Sequence, residues 1–243
     1  KGDLDKGFAE ADEIVEDTFE IPASQGSPIE THGVVAAPSQ GGDGVTIWSS
    51  TQVPFGVREV VAHGLHIPIS KVRIITPTVG GGFGSKCQPW VEPMVASISL
   101  KTNRPVRYVM TREEEFEITQ PRHPMTIHVR SGVKGTGEII ARDIRIIMNT
   151  GHSVMLAPVM VSLVTNAAGA PYNIPNLQIH TTAVFTNLPS FSLVRGPGGP
   201  QAVFAIETHT DRIADIIGMD RIDIRMKNCV NPGDLGPSGQ ELG

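Results

Sequence analysis

The chain has 243 residues, 40% of them hydrophobic and 19% charged, with a formal net charge of −5. That length can bury a sizeable core as one or two domains, and the absence of a basic stretch argues against nucleic acid as a partner. No apolar run approaches the roughly 20 residues of a membrane span, and Cys87 and Cys229 form no Cys-x-x-Cys pair, which disfavours a disulfide framework, a zinc site or an iron–sulfur site within the chain and fits reduced thiols in a cytoplasm.

Along the chain, residues 1–20 read as an acidic lead-in: a short helix over Gly7–Asp12, then a strand over Glu13–Glu20. Residues 21–243 read as the main domain, with room for two subdomains. Val34–Ala37 and Val45–Trp48 are strands around Gly41-Gly-Asp-Gly44, a hairpin signal. Val53–Leu65 has helical spacing, with Pro54 tolerated in the first turn. Lys71–Thr76 is a strand, Trp90–Leu100 a buried helix and Val106–Met110 a strand. Met125–Val133 and Ile139–Asn149 alternate around Lys134-Gly-Thr-Gly137, a second hairpin. Ala157–Gly169 reads as a buried helix and Leu177–Phe185 as a strand. Ala202–Ile217 keeps an apolar face through Val203, Ile206, Thr210, Ile213 and Ile217 and stops at Gly218. Asp220–Asn228 is a last short helix. Helices alternate with strands while hairpins interrupt, so the fold class is α+β, with mixed sheets and packed helices.

Thr78-Val-Gly-Gly-Gly-Phe-Gly-Ser-Lys86 carries the strongest chemical signal. Four glycines, Gly80, Gly81, Gly82 and Gly84, surround Phe83 at the exit of a predicted strand. Glycine lets backbone approach a ligand closely, and exposed N–H groups there can cradle an anion. The spacing is neither a Walker A loop, since Ser85 precedes the lysine, nor the G-x-G-x-x-G dinucleotide fingerprint. From the run alone, a glycine turn without a ligand is an equal reading. Gln52 sits in a strand-to-helix loop and Arg195 in a loop of small residues, where its guanidinium offers a fork for a carbonyl or carboxylate. The structural alternatives are a helix N-terminal residue and a salt-bridge arginine. Lys86 reads either as a point charge for phosphate or as a solvated lysine. Glu113-Glu-Glu115 reads as a solvated helix start, and the histidines form no metal-binding set.

Gly80-Gly-Gly-Phe-Gly84 resembles the motif of the molybdenum hydroxylases, the xanthine dehydrogenase and aldehyde oxidase family. Ser49-Ser-Thr-Gln52, Arg195-Gly-Pro-Gly-Gly-Pro-Gln201, Ile29-Glu-Thr-His32, Ala170-Pro-Tyr-Asn-Ile-Pro-Asn176 and Arg225-Met-Lys-Asn228 are similar to further family segments, in the same order along nearly the whole chain. The resemblance implies the first molybdopterin-binding domain of a large subunit, an excised middle piece, with a naturally split subunit as the alternative. It implies molybdopterin carrying molybdenum, in its cytosine dinucleotide form, with 2Fe-2S clusters and FAD on partner domains or subunits. The remaining C-terminal half of the subunit is a further implied partner. The implied reaction is oxidation of an aldehyde or N-heteroaromatic with water-derived oxygen. Gln52 would approach a ligand oxygen on molybdenum, and Arg195 would bind and polarise the substrate. Gly81, Gly82, Phe83 and Gly84 would contact the cofactor with Gly196 and Gln201, and no side chain would ligate the metal.

Three departures narrow the substrate. Cys87 stands where the xanthine branch has glutamate, which counts against xanthine. Gly196 stands where the carbon monoxide dehydrogenases have cysteine, and Pro197 where an aromatic is common. The family's general base, a glutamate near the end of the large subunit, lies beyond the part that the resemblance covers, so the isolated piece is expected to be inactive. A non-catalytic phosphate- or cofactor-binding or assembly module is the alternative function.

Overall fold

The computed structural model describes residues 1–237 and 239–241; Ser238 of the C-terminal turn-rich segment, and the end of the main domain at Gly243, lie outside the described residues. The chain forms two compact units. One is discontinuous, comprising Lys1–Ser24, His123–Phe191 and Gly196–Gly243; the other is inserted into it and comprises Gln25–Arg122 and Ser192–Arg195.

In the inserted unit, short β-branched runs give β2 (Gly33–Pro38), β3 (Val45–Ser49), β4 (Val72–Ile75) and β5 (Val106–Val109), in the order β4-β3-β2-β5. The β2–β3 hairpin is antiparallel, as is β2–β5, whereas β3 and β4 are parallel. Parallel neighbours need a crossover, and α2 (Pro54–Leu65) supplies it. α3 (Glu92–Thr102) packs beside α2. Val34, Ala36, Ile47, Val57, Val61, Val72, Val95 and Ala96 form the core between helices and sheet. α4 (Arg112–Ile118) starts with a capping box, in which Thr111 Oγ1 accepts from the Glu114 N–H at 3.1 Å and Glu114 accepts from the Thr111 N–H at 2.7 Å. The sequence reading of a solvated Glu113-Glu-Glu115 holds only in part. Glu115 is 1% exposed, because its carboxylate accepts from both the backbone N–H and Nδ1 of His32, at 2.8 Å each.

The discontinuous unit starts with α1 (Leu4–Ala9), which begins earlier than its apolar spacing suggested because the Asp3 side chain caps it, accepting from Lys6 N at 3.1 Å. Its sheet has the order β1-β6-β7-β8, from β1 (Glu13–Ile21), β6 (Met125–Val133), β7 (Ile139–Gly151) and β8 (Asn176–Phe185). β1–β6 and β6–β7 are antiparallel, and β7–β8 is parallel, with α5 (Ala157–Gly169) between them in the chain. Alternation puts Ile127 and Val129 of β6 and Ile144, Ile146 and Met148 of β7 inside. α6 (Gly199–Ile217) buries Ile206, His209 and Ile213, and α7 (Arg221–Asn228) packs against α6. α5 is less buried than its composition suggested. Met160 and Val164 face the core, while Val159 and Leu163 are exposed.

Candidate functional site

In the inserted unit, β4 ends at Ile75 and the glycine run follows, as the sequence suggested. The run is held from three sides. Gln52 Oε1 accepts from the Gly84 N–H at 2.9 Å. The Phe83 carbonyl accepts from the Arg195 N–H at 2.8 Å, and Glu30 exchanges backbone and side-chain bonds with Gly80. Gln52, Phe83, Gly84 and Arg195, distant in sequence, are therefore neighbours within this unit.

Two glycines are required by geometry. A Cβ on Gly82 would lie 2.5 Å from Gln52 Oε1, and one on Gly84 would lie 2.5 Å from the Leu193 carbonyl oxygen. Gly84 also has φ +100°, which L side chains rarely adopt. Phe83 adopts φ +53° without being glycine, an uncommon and costly conformation that concentrates at functional sites. It is 45% exposed, so it does not lock the loop into a core; a Cβ on Gly81 would meet its ring edge at 3.2 Å.

The hydrogen bonds made by the loop show what it leaves open. The N–H groups of Gly80, Gly84, Ser85 and Cys87 are engaged within the unit. Those of Gly81, Gly82 and Phe83 find no acceptor among the described residues, although Gly82 is buried. Buried backbone donors are ordinarily paired. The Gln52 Nε2 group likewise has no acceptor among the described residues, and the exposed Arg195 guanidinium makes no hydrogen bond or ion pair among them. Three backbone donors, one amide donor and one cation suit an oxygen-rich, anionic ligand. No three His, Cys, Asp or Glu side chains gather to hold a metal ion among the described residues.

Lys86, read from sequence as a phosphate contact or a solvated lysine, is neither. It is completely buried, and its Nζ donates to Glu30 Oε2 at 2.7 Å and to Ser50 Oγ at 2.6 Å. Ser50 Oγ also donates to Glu30 Oε2, at 2.7 Å. Burial opposes charge on Glu30, and the bonds from Lys86, Ser50 and Gly80 outweigh it, holding the carboxyl below its ordinary value. Glu115 is held low in the same way: burial opposes its charge and His32 overcomes it. Sequence reasoning missed this group. Its signal, a glutamate in Ile29-Glu-Thr-His32 and a lysine ending the glycine run, becomes visible only when residues 30 and 86 are brought together. Cys87, next in the chain, has its thiol pushed up by burial and is thereby less reactive.

Gly196 and Gln201 belong to the discontinuous unit. Gly196 accepts from the Gly199 N–H at 3.1 Å, at the start of α6. Gln201, in the first turn of α6, is 1% exposed and its Nε2 donates to the His123 carbonyl at 3.2 Å. The His123 Nε2 is buried without a hydrogen-bond partner among the described residues. A cleft of about 670 Å³ in this unit, lined by Lys1, Leu4, Thr165, Leu177 and Pro237, contains none of the predicted site residues.

The same unit contains a serine–histidine–aspartate alignment. Asp17 Oδ2 lies 2.6 Å from His209 Nδ1, and His209 Nε2 lies 2.9 Å from Ser131 Oγ. Its geometry matches a nucleophilic triad, but Ser131 and His209 are 0% exposed and Ser131 Oγ also accepts from Arg142 Nε at 2.8 Å. No substrate reaches that hydroxyl, so the arrangement is a buried structural network.

Comparison with known proteins places these features in one family. The molybdopterin cofactor-binding domain family matches residues 1–229. The chain is 37% identical over 236 residues to a probable xanthine dehydrogenase subunit of Bacillus subtilis, covering 97% of this chain and 32% of that protein. It is 36% identical over 241 residues to the nicotinate dehydrogenase large molybdopterin subunit of Eubacterium barkeri, covering 99% of this chain and 56% of that protein. The solved aldehyde oxidoreductase of Desulfovibrio gigas superposes with a TM-score of 0.92 at 30% identity, over 99% of this chain and 27% of its own. The chain thus spans about a third to a half of the curated relatives named here. By its matched length, its fold and its glycine loop, the chain belongs to the molybdopterin cofactor-binding domain family.

Proposed function

We propose that this chain forms the first half of the molybdenum-binding region in a molybdenum hydroxylase that oxidises an aldehyde or an N-heteroaromatic compound. The observation that carries the reading is the set of unengaged donors at Gly81, Gly82, Phe83 and Gln52 beside an exposed Arg195. Relatives named for nicotinate and aldehyde oxidation support the substrate class. Cys87 counts against xanthine and Gly196 against carbon monoxide, while Pro197 gives the pocket a different lining.

Bound here, molybdopterin in its cytosine dinucleotide form would supply two-electron oxidation of a substrate C–H bond with oxygen taken from water. This chain's residues would position and tune. The Gly81–Phe83 N–H groups would hold cofactor oxygens, with Gly84 shaping the loop. Gln52 would donate its Nε2–H while its Oε1 stays fixed on Gly84. Arg195 would orient a substrate carbonyl or ring nitrogen and stabilise charge developing on it. Gly196 and Gln201 would carry further cofactor contacts. Electrons would leave through 2Fe-2S clusters and FAD on partner domains or subunits, and the remaining half of the large subunit would be a partner in the same protein. A cytoplasmic setting agrees with two free cysteines, and no helix among the described residues is long and apolar enough to cross a membrane.

One observation favours a narrower role for the chain by itself, as a cofactor-binding module without catalysis. Glu30 and Glu115 accept hydrogen bonds from Lys86 and His32 and are held below the ordinary carboxylate pKa, which leaves both weak bases tied to internal partners. The base would come from outside this chain, and the isolated chain is expected to be inactive. The deciding experiment is metal and nucleotide analysis of the full-length protein purified from its own host. Molybdenum with releasable cytosine nucleotide would support the hydroxylase reading; neither, in a host with active molybdenum enzymes, would overturn it in favour of a cofactor-free binding or assembly role.

A further inference from the structure

Resting on the cofactor-binding reading, we infer that Lys86 is a positioning residue: paired with Glu30, it fixes both the glycine loop and Gln52 so that their open donors face one ligand. Lys86 stands where three chain segments meet. Its ammonium joins Glu30 of the first segment to Ser50 of the second. Its own carbonyl accepts from the Gln52 N–H at 2.9 Å and from Thr51 Oγ1 at 3.3 Å. One Glu30 oxygen then collects the Lys86 ammonium, the Ser50 hydroxyl and the Gly80 N–H, each at 2.7 Å. The Glu30 N–H donates back to the Gly80 carbonyl at 3.2 Å.

A fully buried ammonium is costly unless paired, and apolar residues of similar volume usually serve stability as well or better. Here the ammonium's bonds end on Glu30 and Ser50; Glu30 carries that anchor on to the Gly80 N–H, next to the unengaged donors, while the Lys86 backbone carbonyl holds the Gln52 N–H. Lys86 touches no ligand itself. It acts through the loop and through Gln52, in the way that groups behind a ligand-contacting residue set its orientation.

The test uses the full-length protein with Lys86→Met, which keeps the aliphatic stem and leaves Glu30, 37% exposed at its side chain, able to hydrate. Amide hydrogen exchange in peptides covering residues 78–88 should accelerate about tenfold, while peptides over β6 and β7 stay unchanged. Molybdenum retained through gel filtration should fall about tenfold. Unchanged loop exchange would overturn the inference, as would faster exchange with undiminished molybdenum. If Lys86→Met fails to fold, Ser50→Ala removes one of the two Lys86 acceptors and is read by the same two measurements with the same criteria. Should the unmutated protein hold no molybdenum, the functional reading fails, and loop exchange alone still decides whether Lys86 fixes the loop.

Discussion

Each unit buries a charged network, and the two networks end differently. In the discontinuous unit, Asp17 is shared by His209 and Arg212, and Ser131 links His209 to Arg142. Arg142, 1% exposed on the inner face of β7, rests its guanidinium over the Tyr172 ring at 5.6 Å, and the Tyr172 hydroxyl donates to Glu207 at 2.8 Å. These contacts stay within the unit, reaching from buried partners out to half-buried Glu207 and to Arg212, whose side chain is 57% exposed. In the inserted unit the Lys86–Glu30–Ser50 group is smaller, and it terminates on a loop whose next three N–H groups are unengaged. Buried charge alone therefore does not mark a ligand site. Nor does a leftover donor by itself, since Arg142 Nη1 is buried without a hydrogen-bond partner among the described residues; the glycine loop differs in that its leftover donors lie beside the exposed Gln52, Phe83 and Arg195.

Substitutions and pH can break or sharpen that contrast. The largest effect on stability is expected from Asp17→Asn, which leaves His209 and Arg212 without their carboxylate. Removing one partner from a buried pair costs about 3–5 kcal/mol. Urea unfolding should show this loss, while hydrogen exchange at Gly80–Gly84 stays as in the unmutated protein; altered loop exchange would show that the two networks are not independent.

Next is pH. Burial first, and then the positive charges of Arg142 and Arg212, push His209 down to about 4 against the pull of Asp17, from an ordinary value of 6.5. The unfolded chain binds that proton more readily, so this contribution is fully present above pH 6.5 and is lost as pH falls from 6.5 towards 4. The total is about 3 kcal/mol. Glu30 and Glu115 are shifted downward from 4.5, so their contribution is present above pH 4.5 and is lost only below it. Urea midpoints measured between pH 7 and pH 5 should therefore decline, and the decline should flatten in His209→Gln. An equal slope in both proteins would remove His209 as its cause.

Gly84→Ala places a side chain at φ +100° against the Leu193 carbonyl. The backbone conformation alone costs about 1–3 kcal/mol. Thermal unfolding should show that loss together with reduced molybdenum content, and full metal content would separate loop shape from cofactor binding. The smallest effect on stability is expected for Arg195→Met, within about 0.5 kcal/mol because the side chain is exposed. In the full-length enzyme kcat/KM should nevertheless fall about 100-fold or more, if the guanidinium stabilises charge on the substrate. A variant of normal activity would return Arg195 to a backbone role through its bonds to Phe83 and Arg122.

Much of the fold was legible because strands and helices here follow local periodicity. Both hairpins, the α2 helix and the α6 stop at Gly218 were readable from spacing and turn residues, whereas the parallel β3–β4 pairing that α2 connects was not. Arg142 was not: it occupies an inward position of β7 between apolar residues, and only its distant partners Ser131 and Thr210 make that burial tolerable. At the candidate site, Gln52, Phe83 and Arg195 were legible through the family resemblance rather than through chemistry. The clamp behind them was not. Glu30 and Lys86 are 56 positions apart, and His32 and Glu115 are 83 apart, so each looks like an ordinary surface charge until the chain closes on itself.

The interleaved order of the two units has a consequence for biosynthesis. β1 pairs with β6 across the entire inserted unit, so it emerges from the ribosome long before its partner strand exists. At about 5–20 residues per second, the hundred or so intervening residues take roughly five to twenty seconds to make. Residues 25–122 are complete by then, but Ser192–Arg195, whose backbone closes on Phe83, are translated only after β6, β7, α5 and β8. The segment carrying Arg195 therefore arrives last at the glycine loop. The loop and the Arg195 segment thus come together only once residue 195 has been translated.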